Sequence, residues 1–96
     1  MKYSAINIDK LHDNIYQSSS QVVTHLNLKK NEQIPDHSSD MSVVVVIYEG
    51  DVNFKVDNEI FNIKPGDIIQ MDPDKVHSLK ANENSRLMVI KSKLVK

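Results

Sequence analysis

The chain contains no cysteine. That excludes a disulfide framework and any thiolate metal site, and it agrees with a reducing, intracellular setting. Glycine occurs only at Gly50 and Gly66, so each is expected where the backbone needs a positive φ or a close approach. Aromatic residues make up only 5% of the chain, and the formal net charge is -1. Nucleic-acid binding shows itself as a basic face with interleaved aromatics. Here only "KSKLVK" at the end is basic, and a solvated chain end accounts for it, so nucleic acid is set aside as a partner. No apolar run reaches the roughly 18 residues that a membrane-spanning helix requires. The opening "MKYSAINIDKLHDN" carries charges too early for a signal peptide. The expectation is a cytoplasmic protein with no membrane partner.

What is present points to one small β domain. A chain of 96 residues lies near the lower end of what buries a useful core without staples. In "NIDKLHDNIYQ", Ile8, Leu11 and Ile15 have helical spacing, which suggests a short helix or an arm laid across a sheet. From Val22 the apolar period changes to two. "VVTHLNL" places Val22, Thr24, Leu26 and Leu28 on one face and Val23, His25 and Asn27 on the other. "KKNEQIPDH" reads as a polar connection. "SVVVVIY" is apolar on both faces and needs cover on both. "VNFKV", "EIFNI", "IIQM", "VHSLKA" and "RLMVIKS" are further short strands, separated by the turns "DN", "KPGD", "DPDK" and "NENS". The reading is all-β, with an N-terminal arm over residues 1–21 and a sandwich or barrel over residues 22–96.

Two stretches carry a family resemblance. "PDHSSDMSVVVVIYEGDVNF" and "PGDIIQMDPDKVHSLKAN" resemble the first and second motifs of the cupin family, with Gly50 and Gly66 at the motif glycines. The resemblance implies a jelly-roll barrel, also called a double-stranded β-helix, and it implies a homodimer. In metal-binding cupins, two histidines and a glutamate of the first motif and a histidine of the second hold the ion. This chain has His37 and His77 at two of those positions, with Ser39 and Val43 at the others. The usual four-ligand set is incomplete. A stand-alone cupin type with "H-x-S" in place of the histidine pair is the nearest description.

Alternation along "VHSLKA" turns His77, Leu79 and Ala81 inward, and a buried imidazole needs a partner for its ring nitrogens. His37 is the expected partner. If strand parity runs unbroken from His37, then Ser39, Val43 and Val45 join it. The expected pocket is lined by Val43, Val45, Phe54, Phe61 and Leu79, with His37, Ser39 and His77 as its polar minority, and it binds a small-molecule ligand. The alternative is an enzyme. One version holds a divalent metal ion on His37 and His77, with water or substrate completing the coordination, for dioxygenase or isomerase chemistry. A metal-free version uses the two histidines as general acid and base. A third possibility is an interaction module using the outer sheet face. His25 is expected outside the pocket, as a surface or interface residue, and His12 outside any site. Asp72 and Asp74 read as turn formers. Val44, Val46 and Tyr48 are assigned to the outer face of their strand, to be covered by a partner subunit or its arm.

Overall fold

The alternating segments form nine strands among residues 1–93, which are those described by the computed structural model. They are β1 (His12–Gln17), β2 (Gln21–Leu28), β3 (Gln33–His37), β4 (Ser42–Glu49), β5 (Val52–Val56), β6 (Glu59–Ile63), β7 (Ile68–Met71), β8 (His77–Ala81) and β9 (Ser85–Ser92). A five-stranded sheet runs in the order β1-β2-β9-β4-β7, and a four-stranded sheet in the order β3-β8-β5-β6. Every pairing is antiparallel. No helix occurs among the described residues. The fold is an all-β jelly roll, and its two sheets face each other across the core.

Alternation along β4 and β9 fixes which side chains meet. Val43, Val45 and Ile47 point inward and are almost fully buried. Val45 pairs with Val89 and Ile47 with Leu87 on β9, while Val43 pairs with Met71 on β7. From the second sheet come Val52 and Phe54 on β5, and Leu79 and Ala81 on β8. These residues form one continuous apolar cluster with Leu26, Leu28 and Ile63.

Two sequence expectations change here. The Ile8–Leu11–Ile15 spacing does not make a helix; residues 12–17 join the sheet as edge strand β1, paired with β2 through a register shift between Asn14 and Tyr16. A strand already offering a free edge outweighs the weak helical signal of three apolar residues. The second change is β3, which falls where the sequence reads as connection. Pro35 removes one donor, and an edge position tolerates that. The β3–β8 register shifts between Ile34 and His37.

The arm before β1 lies over the outer face of the larger sheet. The Asn27 backbone N–H donates to the Leu11 carbonyl at 2.9 Å, the Asn27 side-chain amide donates to the Ile8 carbonyl at 3.2 Å, and Ala5 is buried. His25 therefore departs from the surface expectation. It points away from the pocket as alternation requires, yet its exposure is 0%.

One His25 ring nitrogen, Nε2, lies 2.6 Å from the Tyr48 hydroxyl, and Nδ1 has no partner among the described residues. Placing the proton on Nε2 leaves only a bare lone pair buried, which is less costly than an orphaned N–H. Burial, reinforced by Arg86 and opposed by Asp13, holds the His25 pKa below its ordinary 6.5. Burial likewise lowers that of His77 from 6.5.

Below pH 6.5 the unfolded chain binds more protons than the folded one, so stability falls as pH drops through that value. Above about pH 8 these two histidines contribute almost no slope. Urea unfolding from pH 8 to 5 is expected to show this decline, and His25→Gln should flatten part of it. An unchanged acid slope in that variant would remove His25 as a source.

Candidate functional site

His77 opens β8 and His37 closes β3, and the two are direct partners across the sheet. Their ring centroids are 4.0 Å apart in a T-shaped arrangement, but the ring-nitrogen partner of His77 is the Lys75 carbonyl and not His37. His77 is buried, with 5% exposure, whereas His37 is exposed at the rim. Phe54 stacks nearly parallel to the His77 ring, at 5.8 Å and 10°.

Each histidine has one ring nitrogen committed to a backbone carbonyl two residues earlier. Nδ1 of His37 lies 2.9 Å from the Pro35 carbonyl, and Nδ1 of His77 lies 3.0 Å from the Lys75 carbonyl. A carbonyl only accepts, so both Nδ1 atoms carry the proton. Both Nε2 atoms then hold a free lone pair. Burial lowers the pKa of His77 first and foremost; the Lys75 carbonyl opposes this, and His37 and Lys91 add to the lowering. At neutral pH the His77 ring is an uncharged acceptor and weak base.

These rings face a cavity of about 70 Å³ between the sheets. Its apolar walls are Leu26, Ile34, Val45, Phe54, Leu79 and Val89. Its polar groups are His12, Thr24, His37, His77 and Lys91. Of the residues assigned to the pocket from sequence, His37, Val45, Phe54, His77 and Leu79 line it.

Ser39, Val43 and Phe61 do not line the cavity. Residues 38–41 carry the chain from one sheet to the other, so Ser39 is not a strand residue, whereas Val43 faces inward as expected but packs away from the cavity. Ser39 is a turn residue instead. Its hydroxyl accepts the Met41 N–H at 3.2 Å and its carbonyl accepts the Asp74 N–H at 2.7 Å. Val43 is buried core beside Met71. Phe61 lies opposite Phe54 on edge strand β6, where the facing sheet no longer covers it, and is 38% exposed.

Four lining residues had a readable signal. Thr24 and Leu26 share the inward face of β2, and Val89 and Lys91 share the parity of Leu87. His12 and Ile34 had none, because β1 and β3 were not legible as strands.

The residues present do not fit a four-ligand metal centre. Ser39 is engaged in its turn, and Val43 offers only hydrocarbon. Among the described residues, no three histidine, cysteine or carboxylate side chains are placed to hold a metal ion.

Two facing antiparallel sheets, with a histidine pair at the cavity between them, define a small β-barrel of the jelly-roll type. The family model described as "Cupin domain" matches residues 24–91. The chain belongs to the cupin family.

Solved structures agree. A conserved protein of unknown function from Streptococcus pyogenes is 25% identical, with a TM-score of 0.82 over 94% of this chain and 80% of that one. An RmlC-like cupin with a double-stranded β-helix fold from Methanocaldococcus jannaschii is also 25% identical, with a TM-score of 0.78 over 97% and 90%. An RmlC-like cupin from Desulfovibrio desulfuricans superposes with a TM-score of 0.85 over 96% of each chain at 16% identity, a likeness of fold alone. No curated protein matches the chain.

Proposed function

We propose that this cupin binds a small molecule in the cavity between its sheets, without the complete four-ligand metal site of its family. One observation carries the reading. Two neighbouring imidazoles, each with Nδ1 held by a carbonyl, leave acceptor nitrogens free at a cavity whose walls are otherwise mainly apolar. Few polar groups on an apolar lining are what orient a small ligand. The His77 ring is also held against Phe54, so little side-chain freedom is lost on binding.

A second reading is favoured by the same tautomers. Histidine ligands commonly donate their other N–H to a carbonyl, so His37 and His77 are arranged as two such ligands would be. A divalent ion held by them would need water or substrate for its remaining positions.

Thermal-shift screening separates the two. A library of small polar organic molecules and, separately, zinc, nickel, manganese and iron salts are tested on chelated protein and on His77→Phe. The first reading predicts organic molecules that stabilise the chelated protein and fail on His77→Phe. Stabilisation by metal salts alone, with metal found by elemental analysis of unchelated protein, would replace it with the second.

A homodimer is a separate proposal. The two-sided apolar β4 supports it, although the chain's own arm already lies over part of that sheet's outer face. Sedimentation velocity showing a monomer at micromolar concentration would dismiss it.

A further inference from the structure

Lys91 adds to the cavity a charge that the histidine pair does not account for. It lies on β9 at an inward-facing position, paired with Val22 on one side and Val43 on the other. Lys91 is half-buried and lines the cavity, and a lysine charge drawn towards an apolar interior is costly unless something compensates it. Among the described residues, Lys91 forms no salt bridge, since the ion pairs there are Lys64–Asp51, Lys75–Asp57 and Arg86–Glu49. Nor does any aspartate or glutamate line the cavity. Thr24 does not change the balance, because its hydroxyl proton is donated to Asn14 Oδ1 at 2.7 Å. The cavity thus has a lysine with no carboxylate partner among the described residues, imidazoles with acceptor nitrogens and an apolar floor.

We propose that the ligand is a small carboxylate, its anionic end held by Lys91 Nζ and its short body lying against Phe54 and Leu79 towards His77. This rests on the reading of the cavity as a binding site. A carboxylate supplies the missing counter-charge through a charge-assisted hydrogen bond, which is stronger than a neutral one. Size limits the body. A cavity of about 70 Å³ holds roughly five water molecules, which suits an acid of three or four carbons. Phosphate is a poorer match. Its second charge and three acceptor oxygens call for a helix N-terminus, an arginine fork or a nest of backbone N–H groups, and no arginine lines the cavity. A hydroxyl on the acid would gain further, because the free imidazole nitrogens accept hydrogen bonds.

The test compares matched acids and amides by NMR titration. Butyrate and lactate are set against butyramide and lactamide, on the wild type, Lys91→Met and Lys91→Arg. Methionine keeps the unbranched stem and removes the charge, and circular dichroism confirms that each variant is folded. The wild type is expected to prefer each acid over its amide by about tenfold or more. Lys91→Met should abolish that preference, and Lys91→Arg should keep most of it. Equal binding of acids and amides by the wild type would overturn the carboxylate assignment and leave the binding cavity standing. A preference that survives in Lys91→Met would overturn it too. Binding of neither acids nor amides would overturn the assignment together with the cavity reading on which it rests.

Discussion

Gly50→Ala is expected to destabilise this domain by about 3 kcal/mol or more, enough to lower Tm by at least about 12 °C. Gly50 follows β4 with φ at +96°, a region that L residues enter only under strain. A methyl group there would meet the Ser85 hydroxyl, and would stand 2.5 Å from the Asn84 carbonyl oxygen and 2.6 Å from Ser85 Cα. Two of those three contacts are backbone. The third cannot swing aside freely, because the fully buried Ser85 hydroxyl donates to the Glu83 carbonyl at 2.8 Å and accepts the Asp51 N–H at 3.1 Å. Relief would require moving the start of β9, which is the strand between β2 and β4. Gly66 is the matched control. Its φ is +103°, but a Cβ there meets nothing within 4 Å, so Gly66→Ala should cost only the conformational strain of about 1–2 kcal/mol. Equal losses at the two glycines, measured by urea unfolding, would show that the Gly50 contact is not tight.

Phe54→Ala is expected to cost about 3–5 kcal/mol, the range for deleting a fully buried aromatic ring. Phe54 is 1% exposed and is the largest of the fully buried side chains. It lies between Phe61 and Leu79 across two strand pairings and supports the His77 ring. In a domain whose total stability is of the order of 5–15 kcal/mol, that is a severe loss. Phe54→Leu keeps much of the volume and should cost less than half as much. The leucine variant should remain folded but bind small molecules more weakly, since the flat wall beside His77 is gone. A loss below about 1 kcal/mol in Phe54→Ala would contradict its place at the centre of the core.

The strands that form both inner walls were legible because side-chain period and turn residues agree along them. β5 and β7 match their sequence segments residue for residue, and the inward set of β4 follows from alternation alone. Both glycines adopt the positive φ expected of them. Of the edge strands, β1 and β3 were not legible. β3 carries a proline and four exposed residues out of five, and β1 takes its shape from pairing with β2 rather than from its own pattern. An edge strand has one neighbour and little burial, so its sequence is only weakly constrained. That explains the errors at the site. His37 and His77 were placed side by side because each lies on a motif, although the hydrogen-bond partner of each is a backbone carbonyl. Extending strand parity through residues 38–41 misplaced Ser39, and Val43 faces inward as read but packs as core. Lys91 has the parity of Leu87 and Val89 and still read as part of a basic tail. His25 was assigned the correct face. Its burial comes from the arm, whose path across the sheet leaves no periodic trace in the sequence.

Residue-resolved NMR is the most direct test of the binding site, using amide and long-range imidazole ¹⁵N–¹H correlation spectra recorded during a fragment titration of chelated protein. The account predicts Nδ1-protonated tautomers for both His37 and His77 in the free protein. It further predicts that ligand-induced shifts centre on Phe54, His77, Leu79 and Val89, while Tyr48 and the outer face stay still. Shifts confined to the outer face, with the His77 ring unmoved, would contradict a binding site between the sheets.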